Sequence, residues 1–90
     1  MDDVEYSWDE VKSDRCLAER GFDFGFAALI WEGPVGYLVD DRQNYGELRI
    51  RALGWIDNSP YVVVFTPRGA ARHIISARRA HLKEVKKWQS

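Results

Sequence analysis

The chain has 90 residues, which is enough for one domain with one hydrophobic core. It is 46% hydrophobic and 30% charged with a net charge of −1, a globular composition that excludes a disordered or fibrous chain. No apolar run reaches the roughly 18 residues that span a bilayer, and the acidic start MDDVEYSWDE is unlike a secretory signal, so we expect a cytoplasmic protein with no membrane contact.

The first third of the chain predicts a strand and two helices. Residues 4–8 are predicted to form a short strand. The stretch from Ser7 to Glu10 has the S-x-x-E spacing of a capping box, which predicts a helix that runs to Arg20 and stops at Gly21. A second helix, ending at 33–34, is predicted from apolar residues at i, i+3, i+4 and i+7: Phe24, Ala27, Ala28 and Trp31.

From Val35 onward the hydrophobic period changes to two. In ELRIRAL, residues 47–53, polar and apolar side chains alternate, which predicts a strand with one core face. A turn at 57–60 leads into YVVVF, residues 61–65, which is typical of a central strand, and a second turn at 67–69 leads into a strand over 72–76. The tail, 78–88, predicts a helix. Its inward residues are Leu82, Val85 and Trp88, and its outward residues are Lys83, Lys86 and Lys87.

These elements predict a single α+β domain over residues 1–90. Its sheet would be small and antiparallel, with about four to five strands, packed against two N-terminal helices and one C-terminal helix.

Charge is distributed unevenly along the chain. Residues 1–45 carry four Lys/Arg and eleven acids, whereas residues 46–90 carry nine Lys/Arg and three acids. The basic residues concentrate around RHIISARRA, 72–80. We therefore predict a phosphate-binding patch on the concave side of the sheet.

Several short stretches, in this order, resemble the BrnT family of ribonuclease toxins. They are WDEVK at 8–12, a Gly-Phe pair before the second helix, Gly46-Glu47 followed by Arg49, VVVFT at 62–66, Arg68-Gly69, ISARRA at 75–80, and Glu84 in a basic helix. The resemblance covers nearly the whole chain. It implies a RelE-like fold and the ribonuclease toxin of a bacterial type II toxin–antitoxin system, which inhibits translation by cutting RNA.

Metal-free RNA cleavage uses the 2′-hydroxyl as nucleophile, so the protein must accept a proton, donate one and stabilise a phosphorane. Guanidinium forks suit the last task because they match pairs of phosphate oxygens. Lys12 corresponds to the lysine of the family's WDxxK motif. The predicted catalytic residues are Lys12, Glu47, Arg68, Ser76, Arg78 and Arg79, and the predicted RNA-binding residues are Arg49, Arg72, His73 and Lys83. Glu47 and His73 are the candidate proton acceptors.

Structural roles are open for the same residues. Ser76 is also consistent with a helix N-cap, and Arg78 and Arg79 with solvated helix residues, although cations in a first turn oppose the macrodipole. Glu47 is consistent with an ion pair to Arg49 on one strand face, and His73 with a satisfied core histidine. Lys12 is consistent with an ordinary solvent-facing position. The lone cysteine, Cys16, excludes an internal disulfide and is read as a small core residue; no Cys/His spacing or carboxylate cluster predicts a metal, and no cofactor is expected.

Four positions depart from the family's usual pattern. Glu19 and Arg20 stand where relatives usually carry a Lys-His pair, Cys16 replaces an asparagine, and His73 replaces an arginine. The loss of the Lys-His pair favours a second hypothesis from another class: a non-catalytic module that keeps the toxin fold and binds an antitoxin-like partner or nucleic acid without cleaving it.

The resemblance also implies partners. They are an RNA substrate and a cognate BrnA-like antitoxin of the ribbon-helix-helix type, in a complex of two toxins and two antitoxins that contacts operator DNA only through the antitoxin.

Overall fold

The computed structural model describes residues 4–89, and side chains as far as Trp88. No helix in this part of the chain is long and apolar enough to cross a bilayer. The elements in chain order are β1 (Glu5–Trp8), α1 (Glu10–Arg20), α2 (Phe24–Ala27), a 3₁₀-helix (Ala28–Glu32), β2 (Gly36–Val39), β3 (Ile50–Ile56), β4 (Ser59–Arg68), β5 (Ala71–Arg79) and α3 (Leu82–Gln89).

The strands form one sheet in the order β1-β5-β4-β3-β2. The predicted α+β class is confirmed, and YVVVF lies in β4 at the centre of the sheet. The prediction of a wholly antiparallel sheet is wrong for one pair, because β1 runs parallel to β5. A parallel pairing is possible here because β1 and β5 are far apart in sequence and are not joined by a tight turn.

Helix α1 begins two residues later than the capping-box spacing indicates. The side chain of Asp9 accepts hydrogen bonds from the backbone N–H groups of Val11, at 2.9 Å, and Lys12, at 3.3 Å, so Asp9 is the N-cap. The prediction that Ser7 caps this helix is wrong because Ser7 lies within β1. The predicted stop at Gly21 is confirmed, with a left-handed φ of 84°.

The predicted second helix divides into α2 and the 3₁₀-helix. Asp23 caps α2 through a 2.8 Å hydrogen bond from the backbone N–H of Phe26. Ile30, in the 3₁₀-helix, is fully buried against β3, where Gly54 leaves room for it. A Cβ at position 54 would lie 2.6 Å from Ile30 Cβ, so this close approach requires glycine.

A two-residue loop joins β3 to β4. Asp57 and Asn58 have φ values of 49° and 67°, as in the type I′ turn that matches the twist of a hairpin. The turn predicted at 57–60 is confirmed, although the strand that follows already begins at Ser59. The strand predicted from 47 begins only at Ile50, and Leu48 is 53% exposed rather than in the core.

The sheet has two chemically different faces. On the helix-side face, Tyr61, Val63 and Phe65 of β4 pack with α1, α2 and the 3₁₀-helix in the main core. On the opposite face, which we call the open face, α3 covers only one end. There Leu53 and Val62 form a smaller buried cluster with Val85 and Trp88.

The C-terminal boundary between strand and helix differs from prediction. β5 continues to Arg79, where Arg78 pairs with Val62 and Arg79 with Tyr61, so α3 begins at Leu82 rather than at 78. Val85 is buried as predicted, but Leu82 is 68% exposed.

β5 carries one irregularity in its pairing with β4. Phe65 pairs with Ile74 and Val64 pairs with Ser76, so Ile75 is the extra residue of a β-bulge.

Candidate functional site

Strand alternation decides which cations reach the open face. His73 lies opposite Thr66, and Arg78 lies opposite Val62. Directly paired residues point to the same side of a sheet. Because β4 places its even-numbered residues away from the helices, these pairs lie on the open face. The same alternation brings the following residues together there: Arg51, Arg68, His73 and Arg78.

The first group on this face, the histidine cluster, consists of Ser7, Glu47, Arg68 and His73. His73 Nδ1 is 2.8 Å from Ser7 Oγ, which fixes the orientation of the imidazole. Arg68 Nη2 lies 4.0 Å from Glu47 Oε1, and both side chains are partly exposed. At this distance the ion pair is loose, so the guanidinium keeps donors for another anion.

The environment of His73 lowers the pKa of its imidazole from 6.5. Burial is the main cause, because it disfavours the charged ring, and the cations of Arg68 and Lys12 act in the same direction. The carboxylates of Glu47 and Asp9 oppose this shift. His73 is therefore mainly neutral at pH 7 and has one ring nitrogen, Nε2, that is not engaged by Ser7.

The second group on the open face surrounds Arg78. Its guanidinium makes a fork with Glu84 of α3, with Nη1–Oε1 and Nη2–Oε2 distances of 2.8 and 2.6 Å. This pairing lowers the pKa of Glu84 and raises that of Arg78, so both groups stay charged. They line the arginine groove, a depression of about 670 Å³ bordered by Leu38, Arg51, Arg78, His81, Lys83, Glu84, Lys87 and Trp88.

Arg49 and Arg51 supply further cationic donors. The guanidinium of Arg49 lies 3.9 Å above the ring of Tyr45, and that of Arg51 lies 5.9 Å from the ring of Trp88. In the part of the chain that the structure describes, the buried Nε atoms of both arginines donate to no acceptor. Arg49 therefore does not form the ion pair with Glu47 that the strand pattern allowed, since Glu47 lies beside Arg68.

Beside this row of arginines lies a buried carboxylate. Asp40 has 1% of its side chain exposed and binds Arg42 through two hydrogen bonds of 2.7 and 2.8 Å. Arg42 lowers the pKa of Asp40, and the more distant charge of Arg51 acts in the same direction. In this ion pair the charges of Asp40 and Arg42 compensate each other at the edge of the open face.

Arg72 and Arg79 lie on the helix-side face. Arg72 stacks 4.6 Å above Trp31 and donates a 3.0 Å hydrogen bond to Tyr6 Oη. Arg79 lies 5.8 Å from the ring of Tyr61. Because Arg79 belongs to β5, its position in the first turn of a helix was a wrong prediction, and the same holds for Arg78.

Lys12 lines a depression of about 170 Å³ between α1 and β5, and so does Ser76, which pairs with Val64 on the open-face side of the sheet. Ser76 lies within β5 and caps no helix, so the N-cap reading is wrong. Cys16 borders the same depression, and burial raises the pKa of its thiol. Its Sγ donates to the carbonyl of Ala77 at 3.6 Å, as fits a small core residue rather than a nucleophile.

The predicted residues thus divide into three places. The open face collects Glu47, Arg49, Arg68, His73, Ser76, Arg78 and Lys83. The helix-side face holds Arg72 and Arg79, and Lys12 lies in the depression beside α1, which Ser76 also borders. The site also contains Ser7, Asp40, Arg42, Arg51 and Glu84, to which sequence reasoning assigned no role in it. Of these, Arg51 was detectable, because it shares the period-two phase of Arg49 in ELRIRAL.

Within the described residues, no three His, Cys, Asp or Glu side chains group as metal ligands would. The open face of this small α+β sheet combines arginines, whose guanidinium groups match phosphate oxygens in pairs, with a neutral and oriented imidazole. Residues 8–84 match the family described as ribonuclease toxin, BrnT, of type II toxin-antitoxin system. The chain belongs to this family. No curated protein matches the chain.

Proposed function

We propose that this chain is a metal-independent endoribonuclease that inhibits translation and that its active site is the open face. The observation that carries the proposal is the position of His73, whose pKa is lowered, on the same face as Arg68 and Arg78. A neutral base beside fixed cations is what in-line attack by a 2′-hydroxyl needs.

His73 is the proposed proton acceptor. When its Nδ1–H donates to Ser7 Oγ, Nε2 carries the lone pair and accepts the proton of the 2′-hydroxyl. The lowered pKa keeps the ring unprotonated at pH 7. Glu47, whose charge raises the pKa of His73, stabilises the imidazolium that forms.

Arg68 is the proposed stabiliser of the phosphorane beside His73. Arg78, four strand positions or about 13 Å further along the open face, is the proposed ligand of a neighbouring phosphate. Arg68 is available because its contact to Glu47 is 4.0 Å long. Arg78 is held by Glu84 and also donates from Nη1 to the carbonyl of Arg79 at 3.3 Å, which leaves donors on Nε and Nη2. The held guanidinium is preorganised, so it requires little reorientation during the reaction.

Single-turnover cleavage of a single-stranded RNA by the purified chain tests this proposal. Cleavage is expected to persist in EDTA and to leave a 2′,3′-cyclic phosphate or its 3′-phosphate product. His73→Ala is expected to lower the rate by about 100-fold or more, in the range typical of a general base. Activity that vanishes in EDTA and returns with magnesium would disprove the metal-independent mechanism.

A non-catalytic module is the second candidate. It is favoured by the fork between Arg78 and Glu84, which occupies the central guanidinium, and by Glu19 and Arg20 at the positions of the family's usual Lys-His pair. Salt-sensitive RNA binding without cleavage by the wild-type chain, at any pH between 5 and 9, would favour this candidate.

The proposed partner is a BrnA-like, ribbon-helix-helix antitoxin that covers the open face in a complex of two toxins and two antitoxins. Type II membership supports an antitoxin partner, and the unneutralised cations of the open face support its location. Action on translation would place the toxin in the bacterial cytoplasm. Co-purification from the operon followed by native mass measurement tests this; a lone 10.4 kDa chain is the contrary result.

A further inference from the structure

The sheet ends at an unusually apolar edge. β2, with the sequence GYLV, pairs only with β3 among the described strands, and all four of its residues are exposed. Tyr37, Leu38 and Val39 have exposed fractions of 47%, 43% and 58%. Edge strands of monomeric proteins usually carry charges, prolines or bulges that prevent pairing with another chain. β2 has none of these.

The backbone of β2 has donors and acceptors directed away from the sheet. The N–H of Asp40 donates to the carbonyl of Arg49 at 2.8 Å, which continues the ladder to β3. In an antiparallel ladder the hydrogen-bonding residues alternate, so Leu38 also bonds to β3. Tyr37 and Val39 therefore direct their N–H and C=O groups outward, where an added strand would lie.

Two depressions meet at Leu38. An apolar groove of about 470 Å³ runs between β2 and α3, and its lining includes Leu53, Trp55, Val85 and Trp88. The arginine groove begins at the other side of Leu38 and Trp88. A strand added to β2 would thus place alternate side chains in an apolar groove that leads directly to cations.

We propose that β2 and these two grooves bind an extended segment of a partner protein in which every second residue faces the grooves, apolar at the end that meets Trp55 and Glu or Asp at the end that meets Arg51. Apolar side chains would fill the groove at Trp55, while carboxylates would complement Arg51 and Lys83. A second copy of this chain fits less well, because pairing of two β2 edges would set two cationic faces side by side. This inference deepens the proposed neutralisation by naming the chemistry of the bound segment.

Binding of a synthetic peptide that carries Val, Val, Glu and Glu at every second position, with Thr between them, tests the inference. Binding is measured by fluorescence anisotropy in the absence of RNA. Its charge-reversed twin carries Lys for Glu, and a third peptide has the same composition in scrambled order. The acidic peptide is expected to bind at least about tenfold more tightly than either control. Because RNA is absent, the result does not depend on whether the chain cleaves RNA.

Two matched pairs of variants locate the site. Val39→Pro removes an outward N–H and is expected to weaken peptide binding by about tenfold, whereas Val39→Thr keeps the N–H and is expected to bind normally. Leu38→Asp places an acid between the grooves and is expected to abolish binding, whereas Leu48→Asp, outside both grooves, is expected to have no effect. Thermal melting verifies that each variant folds.

Three outcomes would overturn the inference. The first is equal binding of the acidic and charge-reversed peptides, and the second is unchanged binding by both Val39→Pro and Leu38→Asp. The third is a dimer of the chain alone that Val39→Pro dissociates, because the occupant of the edge would then be a second copy.

Discussion

The two faces of the sheet use arginine in opposite ways. On the helix-side face, Arg72 and Arg79 lie over aromatic rings, and Arg72 also donates to Tyr6. On the open face, Arg68 is only loosely paired, and the Nε of Arg51 has no acceptor among the described residues. The first use of arginine fills and covers a core, whereas the second leaves donors for an anion.

Basic residues that are adjacent in the sequence lie on opposite faces of the sheet. Arg72 and His73 are adjacent in the chain, as are Arg78 and Arg79, yet each pair is divided between the two faces. A basic run in a strand is therefore not one patch, because successive side chains point to opposite sides.

The largest expected difference between the faces is catalytic. The double variant Arg68→Ala/Arg78→Ala should lower the RNA cleavage rate by about 100-fold or more, because the proposed mechanism assigns Arg68 to the phosphorane and Arg78 to a neighbouring phosphate. Arg72→Ala/Arg79→Ala is the matched control, with the same loss of charge from the other face. Its rate should remain within about fivefold of wild type once folding is verified. Equal losses in both double variants would mean that the open face is not the active site.

A Gly→Ala substitution should destabilise the two faces of the sheet to different extents, because one strand glycine is tightly packed and the other is not. Gly54→Ala directs a methyl at Ile30, 2.6 Å from its Cβ, and should lower the free energy of unfolding by about 1–3 kcal/mol through overpacking. Gly36→Ala, in β2, meets Trp88 at an ordinary 3.7 Å and should change stability little. Chemical denaturation measures both; comparable destabilisation would contradict the tight contact at Ile30.

The pH response of His73 should move in opposite directions in two variants. Glu47→Gln removes a charge that raises the pKa of His73, so the pKa should fall further; Arg68→Gln removes a charge that lowers it, so the pKa should rise. NMR titration of the imidazole in a His81→Gln background measures both shifts. If the pKa of His73 shifts in the same direction in both variants, or does not shift, then Glu47 and Arg68 do not act on His73 as inferred.

The same residue also makes stability depend on pH. Its pKa is lower in the folded chain than the value of about 6.5 expected after unfolding, so the unfolded chain binds more protons. The contribution of neutral His73 is complete above that value and is lost as the pH falls through it toward the folded pKa. Glu47→Gln should extend this loss to lower pH, as denaturation at several pH values would reveal.

The smallest expected effect is on the salt dependence of RNA binding. Three or four phosphate contacts predict a slope of log affinity against log salt of about −2 to −3 for a single strand. Arg51→Ala should make the slope shallower by about 0.7, whereas Arg72→Ala should leave it unchanged. A slope that changes equally in both variants would mean that RNA does not distinguish the faces.

Much of the fold could be predicted because local chemistry and tertiary packing agree. Gly21 ends α1, the 57–60 turn closes a hairpin, and YVVVF is the central strand. The boundary after Ser76 could not be predicted, since SARRA is compatible with a helix and only its pairing with β4 makes it a strand.

This one boundary also limited the prediction of the site. In a helix, Arg78 and Arg79 would share a surface; in β5 they cannot. His73 was found from its type and position, but its contact to Ser7 joins strands 66 residues apart in the chain, which no local pattern indicates. Asp40 and Arg42 lie outside regular elements, where neither helical nor strand periodicity applies.

The bulge at Ile75 determines which cation belongs to which face. His73 and Arg78 are an odd number of positions apart, and in an uninterrupted strand such residues never share a side. The extra residue Ile75 shifts the alternation of side chains by one position, so His73 and Arg78 lie on the same side of the sheet. If Ile75 instead paired with Val64 and no bulge formed, Arg79 rather than Arg78 would lie on the open face, although the sequence would be the same.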